Sequence, residues 1–184
     1  MGSVQPPPPV KLFAGLLIWG ELALADVEAA LVAALGPVDH RTPRMPFEFT
    51  DYYAREMGEI LDRVFFSFED LIDASELAPI KVRTNAIEDE FRRDTEPVKR
   101  PVNIDPGYIE QSKVVLASTK NFYHRVYLGH GVFGETTMHF RNNTYQFFPW
   151  TYPDYQSRDY QEFFQRMRQI YRTQLRRMCR NREA

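Results

Sequence analysis

Charged and imidazole side chains occur in the segment 124–148 at spacings that could support acid–base or anion-binding chemistry. If residues 129–131 form a three-residue turn, Arg125 falls opposite Glu135 on the neighbouring strand, and His124 lies beside them. A carboxylate near an imidazole can transfer protons or bind a metal ion, and an arginine can bind an anion. A cross-strand Arg–Glu pair is also commonly structural, so the sequence leaves both interpretations open.

Because successive side chains of a strand point to opposite faces, the sequence of these strands predicts two faces of different polarity. One face is apolar and should pack on the core: Val126, Leu128, Val132, Met138, Phe140, Tyr145 and Phe147. The other face mixes aromatic and polar side chains: Arg125, Tyr127, Phe133, Glu135, Thr137, His139 and Gln146. A half-polar face beneath a helix is a place where a small pocket can form.

The dipeptide Asp105-Pro106 is typical of the beginning of a helix, because aspartate accepts hydrogen bonds from the open amides and proline has no donor to lose. The N-terminus of such a helix attracts anions. We therefore expect Lys113, Lys120 and Arg125 to bind a small anion close to it. The alternative is a capped surface helix with solvated lysines.

The candidates for acid–base catalysis or metal binding are Asp105, His124 and Glu135. Four further side chains could contribute to such a site: Asp51, Glu56, His139 and Asp154. The histidines do not have metal-ligand spacing, and the signatures of a serine nucleophile and of a phosphate-binding loop are missing. The sequence therefore leaves the identity of any metal or cofactor open.

Hydrophobic periodicity predicts the elements that must position these residues. Strands are expected at 10–18, 45–49, 63–68, 124–128, 132–140 and 144–148. Helices are expected at 26–35 with Asp26 as the cap, and at 74–92, 105–116 and 157–178. The order of these elements predicts an α+β fold with a mixed sheet, a C-terminal three-stranded meander and a long closing helix.

The composition fits one folded domain in a reducing compartment. Residues 1–9 end in four prolines and are predicted to form a disordered tail, followed by a single α+β domain over 10–184. The only cysteine, Cys179, excludes a disulfide framework and a cysteine-rich zinc site. The apolar run 12–19 is too short to span a bilayer, so we expect a cytoplasmic protein without a membrane segment.

Charge is divided unevenly along the chain. The net charge of −2 combines −7 for residues 1–157 with +5 for residues 158–184. A pI near 6.1 argues against a dedicated nucleic-acid binder. The arginine-rich closing helix could still contact RNA or a protein partner, although a solvated helix face is the simpler interpretation.

Nine sequence features together resemble one known family: 47–53 (FEFTDYY), 56–58 (EMG), 68–72 (FEDLI) with Lys81 and Asn85, 102–108 (VNIDPGY), Lys113, 119–120 (TK), 124–128 (HRVYL), Glu135 and 150–155 (WTYPDY). Over residues 10–175 the chain resembles the bacterial and archaeal family called domain of unknown function 4416. The resemblance implies almost no function. Some members carry a GTP-binding label, but this chain lacks the Walker A and Asn-Lys-x-Asp motifs, so we do not expect a guanine-nucleotide switch.

We therefore expect a small cytosolic protein that binds a small anionic ligand, phosphorylated or a nucleotide, and the sequence leaves open whether it is an enzyme. The alternative is a non-catalytic protein- or RNA-interaction module that uses residues 150–155 and the basic closing helix. A third interpretation is a structural domain without a ligand.

Overall fold

The computed structural model describes residues 2–50, 52–94 and 98–183 of the chain. These residues form the strands β1 (Val10–Trp19), β2 (Val38–Arg41), β3 (Met45–Pro46), β4 (Leu61–Ile72), β5 (Val102–Ile109), β6 (Lys113–Ser118), β7 (Val126–Gly129), β8 (Val132–Arg141) and β9 (Thr144–Phe147). The α-helices are α1 (Leu24–Leu35), α2 (Ala54–Met57), α3 (Leu77–Glu90) and α4 (Arg158–Glu183).

One sheet contains these strands in the order β2-β4-β1-β5-β6-β8-β7, with β3 paired to β4 and β9 paired to β8. The predicted α+β class is confirmed. We predicted a mixed sheet, but every pairing within the described residues is antiparallel. The reason is a split β-α-β topology, in which β4 lies between β1 and β2, and β1 lies between β4 and β5. The two strands joined by α1 are therefore not neighbours, and neither are the two joined by α3.

Strand β1 lies at the centre of the sheet and is buried on both faces, as its continuous apolar sequence predicts. Leu16 and Ile18 contact the core formed with α1 and α3. Phe13 points to the opposite face and packs on α4 through Phe163 and Phe164. Helices therefore cover both faces of the sheet.

Helix α4 closes the fold and confirms the predicted helix at 157–178, extending it to residue 183. Its inward stripe is buried as expected: Tyr160, Phe163, Phe164, Met167 and Tyr171. Within the described residues, each helix is too short or too polar to cross a membrane.

Several predicted boundaries differ from the structure. Helix α1 begins at Leu24, which packs on the core, so Asp26 lies inside the first turn and does not cap the helix. Strand β4 is longer than the predicted 63–68, and β3 has only two residues because Pro46 limits pairing. Residues 2–8 are exposed and contain neither helix nor strand.

The segment around Asp105 is a strand, whereas we predicted the beginning of a helix at 105–116. Strand β5 pairs with the central strand β1 along most of its length and forms a hairpin with β6. An added Cβ at Gly107 would lie 2.5 Å from the carbonyl oxygen of Val115, so this glycine permits the close approach of the two strands. Pairing on a central strand therefore overrides the local helix signal.

The second C-terminal hairpin has the predicted register, since Phe140 pairs with Tyr145 and Met138 with Phe147. A two-residue Asn-Asn turn with positive φ angles joins its strands, as that register requires.

The first C-terminal hairpin keeps the predicted register at Val126 and Tyr127, but a register shift beside the turn pairs Gly129 rather than Leu128 with Val132. Strand β6 occupies one edge of β8, so β7 and β9 both pair with the other edge. At this outer position Val126 and Leu128 are exposed, whereas we placed them in the core. Phe147 on β9 is exposed for the same reason.

Candidate functional site

A cleft opens in the sheet where β5 and β6 separate. The β5–β6 ladder ends at Gly107, since Pro106 has no N–H group to continue it. The cleft has a volume of about 970 Å³, which is in the range of small-molecule sites. Side chains from β4, β5, β6 and α3 line it, together with the segments 47–50, 52–56 and 152–155.

Two side chains of α3 replace the missing strand partner of Ile104. Lys81 Nζ donates to the Ile104 carbonyl oxygen at 2.6 Å, and the Ile104 N–H donates to Glu88 Oε1 at 2.8 Å. Both side chains are buried, and their charged atoms lie 3.7 Å apart. Burial raises the pKa of Glu88, and the charge of Lys81 acts against this rise. This pair satisfies the edge of β5 without a neighbouring strand, which keeps the cleft open.

Asp105 lines the cleft as an ionised carboxylate. Its Oδ1 accepts from Lys81 Nζ at 3.2 Å, and its Oδ2 accepts from Asn103 Nδ2 at 2.8 Å. Burial alone would raise the pKa of Asp105, but the charges of Lys81 and Arg63 and these hydrogen bonds outweigh it, so the pKa lies below its usual range. The carboxylate can therefore accept a hydrogen bond from a bound molecule.

Arg63 is a buried arginine in the wall of the cleft. Its Nε donates to the Tyr160 hydroxyl at 3.2 Å, and its Nη2 donates to Asp154 Oδ2 at 3.1 Å. The guanidinium carbon lies 5.2 Å from the centre of the Phe47 ring. Its Nη1 is buried and has no hydrogen-bond partner among the described residues. A buried donor without an acceptor is unfavourable, so an acceptor that reached this nitrogen would stabilise it.

Two further cations of the cleft also have donor capacity left. Arg100 Nη2 donates to Asn103 Oδ1 at 2.6 Å, while its buried Nε has no partner in the described part of the chain. Lys120 Nζ donates to the Tyr52 hydroxyl at 2.8 Å. None of the described carboxylates is within ion-pair distance of Lys120. Lys120 could therefore contact a ligand without first breaking an ion pair, whereas Arg100 Nη1 lies 3.8 Å from Glu56 Oε2.

A second wall of the cleft is an ion-pair network centred on Glu135. This carboxylate is 2% exposed, accepts from Arg125 Nε at 2.6 Å and lies 3.0 Å from His124 Nε2. Arg125 Nη1 donates to Ser118 Oγ at 3.0 Å, and Nη2 donates to the Tyr152 hydroxyl at 2.8 Å. The expected Arg125–Glu135 pair is present. Because the protein itself occupies most of its donors, Arg125 is less available to an anion than we expected.

Aromatic side chains form the remaining lining of the cleft: Phe47, Phe49, Tyr52, Tyr53, Tyr152 and Tyr155. Burial raises the pKa of Tyr53 to about 12, so its hydroxyl stays protonated at neutral pH. Tyr52 is 67% exposed. The cleft thus combines hydroxyl donors and apolar ring surface with its cations.

The structure brings together four of the six predicted site residues: Asp105, Lys120, Arg125 and Glu135. His124 lies behind Glu135 and stacks on Trp150 with ring centres 5.0 Å apart, so it does not line the cleft. Lys113 lies at the other end of β6, outside the cleft, and forms an ion pair with Glu110 at 2.7 Å.

Of the additional candidates, Glu56 and Asp154 line the cleft, His139 does not, and Asp51 lies outside the described residues. No group of three or more His, Cys, Asp or Glu side chains that could hold a metal ion occurs in the ranges 2–50, 52–94 and 98–183.

Sequence reasoning missed the role of several charged residues of the cleft. Lys81 and Glu88 lie seven residues apart on the buried stripe of α3, together with Thr84, and this spacing could have indicated a buried ion pair. Arg63 directly precedes the apolar run of β4, which is a weaker signal. Arg100 follows a proline-bearing loop, and no periodicity there predicts its position.

Comparison with known proteins gives one match. The model of a family described as Domain of unknown function (DUF4416) matches residues 8–171 of the 184-residue chain. No curated protein and no solved structure matches the chain. The matched range includes all residues that line the cleft.

Proposed function

Since the chain belongs to the DUF4416 family, whose description assigns no activity, we propose its function from the cleft: it binds a small anionic ligand, phosphorylated or a nucleotide, between β5 and β6. The observation that carries the proposal is the pair of buried arginine nitrogens without an acceptor, Arg63 Nη1 and Arg100 Nε. Phosphate and carboxylate oxygens are the acceptors that guanidinium groups favour.

The other residues of the cleft support the same class of ligand. Lys120 adds a cation without a described carboxylate partner, and the Tyr53 hydroxyl adds a neutral donor. Asp105 is ionised, so it would accept a hydrogen bond from a ligand hydroxyl or amino group rather than contact the anion. The exposed ring of Tyr52 offers a surface on which a planar group could stack.

We propose ligand binding as the function and assign no reaction. The acid–base candidates Asp105 and Glu135 are both held in ion pairs, which positions them well for binding. The single cysteine, Cys179, is exposed and unpaired, and it supports placing the protein in the cytoplasm.

A thermal-shift panel on the purified full-length protein tests the proposal, with phosphate, pyrophosphate, sugar phosphates, nucleotides and dicarboxylates as probes. A ligand at 100 times its dissociation constant adds about 2.7 kcal/mol to the unfolding free energy. For a domain of this size each kcal/mol raises the melting temperature by about 2–4 °C. We expect at least one phosphorylated probe to produce such a rise, and a panel without any shift would contradict the proposal.

A further inference from the structure

The C-terminal half of α4 carries a strongly basic surface that the cleft does not explain. From residue 163 to residue 182 the sequence contains seven arginines and no lysine, aspartate or glutamate. Tyr171 is the last buried residue among the described side chains of α4, so the helix continues beyond the core. At about 1.5 Å per residue, the part after Tyr171 is about 18 Å long.

Three of these arginines form one line along the helix. Arg172, Arg176 and Arg180 are spaced by four residues and are exposed, so they lie on one face of α4, directed away from the buried stripe. Arg177 lies next to this line and is also exposed. None of the four has an ion-pair partner among the described residues. Arg172, Arg176 and Arg180 also line a small groove beside Gln111.

We infer that this line of arginines, Arg172, Arg176 and Arg180, is a binding surface for the phosphodiester backbone of a nucleic acid. A row of charges of one sign matches the regularly spaced charges of a polyanion. One arginine can donate two parallel N–H groups to two oxygens of the same phosphate, whereas lysine acts as a point charge. The cations of this surface are all arginines.

The apolar side of α4 argues against an anionic membrane as the partner. A helix that lies in a membrane interface needs an apolar face free to insert among the lipids. In α4 this face is buried against the sheet through Phe163, Phe164 and Met167. Beyond Tyr171 only partly buried apolar residues such as Leu175 remain.

The acidic character of the rest of the chain is compatible with this inference. Residues 1–157 carry a net charge of −7, so the chain as a whole does not attract polyanions. Binding would depend on the C-terminal half of α4, where no acidic residue occurs between positions 163 and 182. The inference is independent of the proposed function of the cleft.

Fluorescence anisotropy with labelled 20-nucleotide oligouridylate and a 20-base-pair DNA duplex tests the inference on the full-length protein. The test variant is R172Q/R176Q/R180Q, and R41Q/R83Q/R158Q is a control with the same change in net charge. We expect the wild type and the control to bind at least one probe at about 0.15 M salt. The test variant should lose at least tenfold in affinity, and its salt slope on the single strand should decrease by about 2, since each lost phosphate contact contributes about 0.7.

Equal affinities of the test variant and the control would overturn the inference, and so would the absence of binding by the wild type. Binding to vesicles of anionic lipid without binding to either nucleic acid would assign the surface to a membrane instead. Loss of binding in the cleft variant R100Q, with retention in the test variant, would place the nucleic acid in the cleft and would also overturn it.

Discussion

Lys81 Nζ donates to the carbonyl oxygen of Ile104 at 2.6 Å, at the position where an adjacent strand would donate in an unbroken sheet. A side chain of α3 thus completes the edge of β5, and the sheet can open there without leaving this carbonyl group unsatisfied. The cleft therefore depends on a buried lysine as much as on the proline that ends the ladder.

Replacing Lys81 by methionine should destabilise the protein strongly. The change keeps most of the side-chain volume but leaves Glu88 and the Ile104 carbonyl oxygen without their cation. Breaking a buried pair by removing one partner costs about 3–5 kcal/mol. Urea denaturation measures this loss. The matched control is Lys120→Met, which removes an exposed lysine and should change the unfolding free energy by about 0.5 kcal/mol or less. Similar stabilities of the two variants would contradict the structural role of Lys81.

Replacing Arg125 by alanine should also destabilise the protein, because the buried Glu135 would lose its arginine partner. The expected cost is about 3–5 kcal/mol. The double variant Arg125→Ala/Glu135→Gln should be more stable than Arg125→Ala alone, since the second change removes the uncompensated charge. Denaturation of the two variants checks this. A double variant that is less stable than Arg125→Ala would show that the charge of Glu135 is not the source of the loss.

The lowered pKa of Asp105 predicts how the stability of the protein depends on pH. Its pKa is lower in the folded protein than the ordinary value of 3.8, so its ionised form stabilises the fold above about pH 4. This contribution is lost as the pH falls through the folded pKa. The contribution of Glu88 to the pH dependence of stability has the opposite sign, because burial raises the pKa of Glu88 above the ordinary 4.5.

Asp105→Asn isolates the Asp105 contribution. The difference in unfolding free energy between wild type and variant should be constant from about pH 7 to about pH 5 and should decrease below about pH 4. Chemical denaturation at a series of pH values provides the measurement. A difference that is unchanged at about pH 2.5 would show that the carboxylate does not have a lowered pKa in the folded protein.

The sequence predicted most of the strands and the closing helix, because their periodicity reflects burial directly. Val10–Ile18 and the stripe of α4 are buried as expected. The prediction at Asp105-Pro106 was wrong, since the same residues that can begin a helix can also end a strand ladder. Only the pairing of β5 with the central strand decides between the two, and that pairing is not local in sequence.

The candidate site could be predicted only in part for a related reason. Arg125 and Glu135 lie within one hairpin, so the spacing of the sequence was enough to pair them. Lys113 follows Asp105 by eight residues but lies outside the cleft, because the intervening hairpin carries it to the other end of β6. Arg63 and Arg100 come from segments far from the hairpins, and only the fold brings them to the cleft.

Isothermal titration of pyrophosphate into wild type, Arg100→Gln and Arg41→Gln tests the central claim most directly. Arg100 is the suitable position because its buried Nε lacks a described acceptor and its side chain is 25% exposed, so the fold should tolerate the change. Arg41 is an exposed arginine outside the cleft. We predict binding to wild type and to Arg41→Gln, with an affinity at least tenfold weaker for Arg100→Gln. Equal affinity in all three proteins, or no binding to the wild type, would contradict an anion site in the cleft.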